Sequence, residues 1–294
     1  MISVSCAALA VALANPASTG PFRLTQDCPS PDGRPALVNT QIFRAPVTVE
    51  AAGRTVAGLA VKGGGNLVWK GGTIRAPLGS GIAGGARGAG LYAVLITGGA
   101  RGIAFDNVTF TRARKAIVMG GASGLSVRNS RCVGEVEDCL IVTKASDIDF
   151  SNNVAGPFQK NFSSCTLPDG RVEEKVGRKQ CQEKAGAWKD GWHSDVVQMY
   201  NAVHNVTLAN NRFDTIGHGI TQFGPGEPLR NVTITGNTIR AGRNGLRLNV
   251  CENCRIEGNR LESAVPEWRA VIMPGTALAC GNIVPSGGLG REKC

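Results

Sequence analysis

One short pattern returns six times along this chain and limits what it can fold into. Ile103-Ala-Phe-Asp-Asn-Val, Leu125-Ser-Val-Arg-Asn-Ser, Ile148-Asp-Phe-Ser-Asn-Asn, Val206-Thr-Leu-Ala-Asn-Asn, Val232-Thr-Ile-Thr-Gly-Asn and Cys254-Arg-Ile-Glu-Gly-Asn each set apolar residues two apart and end on a turn residue. Their first residues lie 22, 23, 58, 26 and 22 apart, and the 58 is expected to hold about two ordinary repeats plus an insertion. A unit recurring at this period is a supersecondary element that buries its apolar side only by stacking on its neighbours.

A second strand precedes each unit by about ten residues: Ala116-Ile-Val-Met, Leu140-Ile-Val-Thr, Val196-Val-Gln-Met, Ile220-Thr-Gln-Phe, Leu246-Arg-Leu-Asn and Val271-Ile-Met. Two or three short strands per 22–26 residues predict an all-β, single-stranded, right-handed parallel β-helix of about 8–10 coils, each adding about 4.8 Å. Leucine-rich repeats share the period, but they need a Leu framework with helical returns, and here the returns are Gly-rich and the framework is mixed. The composition agrees: 40 Gly with only 5% aromatic residues suits short strands and tight turns, and 42% hydrophobic residues argue against disorder. Asn153, Asn211, Asn237 and Asn259 are expected to form an internal amide ladder at a strand corner. The Asn-Val-Thr matches at Asn107, Asn205 and Asn231 belong to the repeat rather than to glycosylation.

Residues 2–14 form an uncharged apolar stretch ending in Ala12-Leu13-Ala14, which predicts a signal peptide over 1–14 without the usual basic start, and a secreted or periplasmic protein. Residues 15–294 are then one domain, with lead-in strands around Val47 and Val56 and a Gly-rich loop at 79–90. Ten Cys suit export. Cys132/Cys139 and Cys165/Cys181 are the expected pairs, each closing a local loop; Cys251, Cys254, Cys280 and Cys294 can pair in three ways and Cys28 is left unmatched, so either Cys6 departs with the leader and at least one thiol stays free, or Cys6 is retained. Cys251-Glu-Asn-Cys254 lacks a second ligand pair, so no zinc site is expected. No dense Asp cluster supports calcium, and no cofactor is expected.

Thirty-two Lys and Arg against 22 Asp and Glu give a net charge of +10, which favours an acidic partner. A polyanionic glycan fits best. Nucleic acid is not expected, because long basic runs, binding motifs and aromatic material for base stacking are missing. Neither is a membrane, since no apolar run approaches a span; the chain is expected to be monomeric.

Coils are interchangeable, so chemistry is sought where one departs from the pattern. Residues 157–191 interrupt the repeat with charges and two cysteines, and Gly191-Trp-His-Ser-Asp-Val-Val-Gln-Met-Tyr200 follows directly. Aligning the second strands gives a row Arg114, Glu137, His193, Gly217, Arg243, Trp268 and a neighbouring row Lys115, Asp138, Ser194, His218, Asn244, Arg269. Strict alternation puts Asp195, Val197 and Met199 on one face and Val196, Gln198 and Tyr200 on the core face, with Gln198 and Gln222 stacked inside and Thr221 and Arg247 outside with Asp195. Trp188 and Trp192 are placed to stack on sugar rings, and Arg243, Arg247 and Arg269 to bind acidic groups, beside Glu137, Lys115 and His218.

Over roughly residues 40–275 these coils with Asn ladders resemble the pectin-lyase-like superfamily of right-handed parallel β-helices, and His193-Ser-Asp195-Val-Val-Gln198 resembles the H-x-D-x-x-Q segment of exported bacterial β-helix repeat proteins. The resemblance implies a carbohydrate-active protein. The first expectation is a lyase cleaving a uronic-acid polysaccharide by β-elimination, with His193 or a nearby Lys or Arg as base, Asp195 orienting it, and Arg243 or Arg247 neutralising the substrate carboxylate. The alternatives are a glycoside hydrolase pairing Asp195 with Glu137 or Asp138 at the separation of an inverting pair, and a non-catalytic glycan-binding β-helix.

Overall fold

A computed structural model describes residues 1–30, 32–77, 92–134, 136–158, 164–174, 178–189, 194–224, 226–264, 269–274 and 277–285. Apolar alternation and turn residues produce short strands that pair in parallel with their counterparts one coil away. The result is a β-solenoid with three long sheets. Among the described residues, sheet 1 has 12 strands, sheet 2 has 8 and sheet 3 has 9. Within a coil the chain passes through sheet 3, then sheet 1, then sheet 2.

Register is kept from coil to coil, so like side chains stack. Trp69, Phe105, Val127, Phe150, Leu208 and Ile234 form one buried column of sheet 1. At the corner between sheets 1 and 2 the expected amide ladder is present. The backbone N–H of Asn153 donates to Asn211 Oδ1, that of Asn211 to Asn237 and that of Asn237 to Asn259, each at 2.9 Å. Ser130 and Asn282 extend the ladder at its two ends. The ladder satisfies corner N–H groups that the sheets leave unpaired. Asn205 and Asn231 sit at φ +56° and +54° in a separate exposed ladder, where their Nδ2 atoms donate to Asp147 and Asn205.

Residues 2–14, read above as a leader, have a structural task here. Ile2–Val4 pairs in parallel with Phe22–Leu24, and Cys6–Ala14 is a helix packed on the Leu37–Asn39 strand. Ser5 caps the helix by accepting from the Ala8 N–H at 3.2 Å, and Leu9 and Leu13, four apart, are completely buried. Cys6 bonds Cys28, which accounts for the cysteine left unmatched above. The remaining expectations hold: Cys132–Cys139 and Cys165–Cys181 are bonded, and Cys251–Cys254 is the pairing adopted in the C-terminal group. No described cysteine is free, and no described helix is long and apolar enough to cross a membrane. In the insertion, Ser164–Thr166 pairs in antiparallel fashion with Val172–Glu174 and Ala187–Lys189, and the disulfide ties this sheet to the Arg178–Glu183 helix.

The apolar face of the N-terminal helix covers the first coil, so removal of residues 2–14 is expected to give aggregated protein. Leu9→Ala should lower unfolding free energy by about 2–5 kcal/mol in denaturant titration. Wild-type stability in the truncated protein would contradict this role.

Candidate functional site

The start of each sheet 3 strand departs from simple alternation. Ala116 and Ile117, Cys139 and Leu140, Val196 and Val197, and Ala270 and Val271 are consecutive pairs that all belong to the buried apolar core. Gly219 occupies the corresponding position before Ile220; a Cβ there would strike Ile239 and the Gly245 carbonyl, so this position also points inward. With two neighbours inside, the residues flanking each pair share the outer face. Two outward columns result: Lys115, Asp138, Asp195, His218, Asn244, Arg269 and Val118, Ile141, Gln198, Thr221, Arg247, Ile272.

This corrects the sequence alignment in one coil. Leu140 pairs with Val197 rather than Val196, and Val197 pairs with Ile220. Asp195 therefore takes the place assigned to Ser194, and Ser194 that assigned to His193. Gln198 and Tyr200 belong to the outer face, and the expected Gln198–Gln222 internal stack does not form. Gln222 pairs with Met199 and turns its Oε1 to the N–H groups of Asn249 and Val250, at 2.8 and 2.9 Å.

On the outer face the polar groups form one network. Gln198 Nε2 donates to Asp138 Oδ1 at 3.0 Å and to Asp195 Oδ2 at 2.9 Å. Its Oε1 accepts from the Tyr200 hydroxyl at 2.8 Å, which fixes the amide orientation. Asp138 also accepts from the Asp195 N–H at 3.0 Å and Lys115 Nζ at 2.9 Å. Asp195 Oδ1 accepts from the His218 N–H at 2.6 Å. His218 Nδ1 accepts the Asn244 N–H at 3.4 Å, its ring meets Phe223 edge-on, and Phe223 stacks on Tyr200.

Although they point outward, Asp138, Asp195, Gln198 and Thr221 are 1%, 0%, 1% and 0% exposed. The groups that reach solvent lie at the rim: Lys115, Tyr200, Arg243 and Arg247 are half-buried and Arg269 is exposed. Burial drives the Asp138 carboxyl up to about 6, with Glu137 and Asp195 adding to the rise and Lys115 opposing it. Burial, then the charges of Asp138 and Asp195, push the Tyr200 hydroxyl up to about 12. Glu137 is buried and bonded to Arg114. Four buried polar atoms here have no partner: Ser194 Oγ, Thr221 Oγ1, Asn244 Oδ1 and Arg247 Nε.

Of the residues singled out in the sequence, Lys115 and Asp195 join this network and His218 borders it, while Arg247 lies in the adjoining column. Arg269 supplies its carbonyl to Asn244 Nδ2 at 2.5 Å. His193, Trp192 and Trp268 lie outside the described residues, and Trp188 is described only as a strand residue opposite Cys165. Gln198 and Tyr200 were assigned to the core. The signal that finds them is the doubled small or apolar pair repeated in successive coils.

Both carboxylates approach one amide nitrogen to within 3.0 Å, so they sit closer than the roughly 6.5–9.5 Å of an inverting pair. The hydrolase expectation built on Asp195 and Asp138 therefore loses its geometry. His, Cys, Asp and Glu side chains form no metal-binding group of three or more among the described residues.

No protein-family model and no curated protein matches the chain. Among solved structures, the crystal structure of an alginate lyase from Paenibacillus sp. str. FPU-7 is similar, with a TM-score of 0.50 and 12% identity over 98% of this chain and 96% of that one. The likeness concerns the fold.

Two outcomes follow from the network. Gln198→Glu sets a third acid against two carboxylates and should lower thermal stability more at pH 8 than at pH 5; an equal loss at both would contradict the geometry. Because the folded state holds the Asp138 proton more tightly than the unfolded chain, this group adds stability below pH 3.8, and that contribution is lost as pH rises through about 6. Asp138→Asn should remove this part of the pH dependence, measured by denaturant titration across that range.

Proposed function

We propose that the protein cleaves a uronate-bearing polysaccharide by β-elimination at the rim of the sheet 3 site. The observation that carries this reading is a pair of unmatched donors. Thr221 and Arg247 are register partners on adjacent strands, and the Thr221 hydroxyl and Arg247 Nε are both buried without an acceptor. A buried donor without an acceptor is costly, and a carboxylate supplies two acceptor oxygens to such a pair. Neutralising a uronate carboxylate is also what lowers the barrier to removing its C5 proton. The net charge of +10 favours attraction of the same polymers.

In this reading the half-buried Arg247 holds the carboxylate above Thr221, and Arg243 and Arg269 bind neighbouring acid groups. Tyr200 keeps its proton at neutral pH and is suited to donate it to the departing glycosidic oxygen. Asp138, Asp195 and Gln198 position Tyr200 and Lys115 rather than meeting substrate, and His193 is proposed as the base that takes the C5 proton. Trp188 and Trp192 are proposed to stack on sugar rings, with Glu137 acting through Arg114 and His218 through the Phe223–Tyr200 stack. The similar structure is that of an alginate lyase, which supports a polysaccharide-degrading enzyme on this scaffold. The disulfides favour an oxidising compartment, secreted or periplasmic.

Incubation with alginate and polygalacturonate should raise the ultraviolet absorbance of unsaturated uronate ends. New reducing ends without that rise would select hydrolysis, and binding without either would select a non-catalytic module. Arg247→Ala is expected to lower kcat/KM about 10²–10³-fold. Tyr200→Phe and His193→Ala should each remove most of kcat, and full activity in either would remove that residue from the mechanism.

A further inference from the structure

We propose that the outer face of sheet 2 is a second binding track, for an extended anionic glycan. Thr109, Arg131, Val154, Arg212, Thr238 and Arg260 are successive register partners on this sheet. Their chain neighbours Phe110, Cys132, Ala155, Phe213, Ile239 and Leu261 are buried, so the column itself faces outward. Arg131, Arg212 and Arg260 are exposed, and no ion pair or side-chain hydrogen bond engages them among the described residues.

Spacing separates this column from a diffuse basic surface. An arginine stands on every second coil, so guanidinium groups recur about every 10 Å, twice the strand separation. In an extended β-linked polyuronate with two-fold symmetry, acid groups return to the same side on every second sugar, a repeat of the same order. The intervening Val154 and Thr238 are compact enough to let a chain lie close to the sheet. Acidic residues stand in the adjoining column, at Asp214 and Glu262, with Arg240 between them in register. Asp214 pairs with Arg240 at 4.0 Å, and no described ion pair joins either acid to the arginine column.

Duplex nucleic acid fits less well, because its phosphates repeat about every 3.4 Å along a strand and this column offers no aromatic platform. An anionic membrane would be gripped by inserted apolar side chains, of which the column has one, Val154. The track lies on a different sheet from the candidate site and does not depend on the chemistry proposed there. Holding a polymer at both places would raise apparent affinity through effective concentration.

The test is retention of the full chain on immobilised polymannuronate in a salt gradient. A variant carrying Arg131→Thr, Arg212→Thr and Arg260→Thr takes the residue found elsewhere in the column, so its thermal stability should match wild type. A variant carrying Arg34→Thr, Arg44→Thr and Arg230→Thr loses the same charge from exposed positions off this sheet. The track variant should bind about tenfold more weakly, while the charge-matched variant keeps most of the affinity. Equal losses in the two triple variants would reduce the track to net charge and overturn the proposal. So would tighter binding of the wild type to duplex DNA or to anionic phospholipid vesicles than to polymannuronate. Unchanged binding in the track variant would overturn it as well.

Discussion

Two adjacent side chains turned into the core at the start of successive sheet 3 strands determine where the polar chemistry of this protein lies. In a regular strand, residues three apart face opposite sides. The inward pair Val196-Val197 cancels one alternation and puts Asp195 and Gln198 on the same outer face. Because the coils are in register, the irregularity repeats, and single residues from distant parts of the chain become neighbours. Asp138 and Gln198, separated by 60 positions, share a hydrogen bond for this reason.

Burial gives that arrangement its electrostatic character. A lone carboxylate out of water is costly, and two together are worse unless donors offset the charge. Here the donors come from the backbone of the next coil, from Lys115 and from a single amide that divides its hydrogens between both acids. The remaining oxygen of that amide holds Tyr200 as a donor. A network of this kind stays rigid because moving any member leaves another unpaired. Rigid support beneath Lys115 and Tyr200, with unpartnered donors at Thr221 and Arg247 beside them, is the physical basis for assigning substrate chemistry to the rim.

Much of the architecture was legible before any coordinates. Apolar residues two apart, repeated at 22–26 residues, require stacked strands, and the Asn153–Asn259 ladder followed from the same spacing, while two disulfides were legible as closures of short local loops. The candidate site was legible only in part. Lys115, Asp138, His218, Asn244 and Arg269 were aligned correctly, but the 196 coil was set one residue off, and a slip of one exchanges the faces. Val196 and Val197 are equally apolar, so hydrophobicity alone does not choose between them; neighbouring coils, with Gly219 before Ile220 and Gly245 before Leu246, do. Residues 2–14 read as a leader by composition, and composition does not carry the burial of Leu9 and Leu13 or the Cys6–Cys28 bond that the full chain shows.

The most direct measurement is the titration of the Asp138 side-chain carboxyl by carbon-detected NMR, in the wild type and in Asp195→Asn. The shared outer face predicts a wild-type midpoint near 6 and a lower one once the neighbouring charge is removed. An Asp138 midpoint at the ordinary carboxylate value, indifferent to residue 195, would mean that the two acids do not meet, and the site as described would not exist.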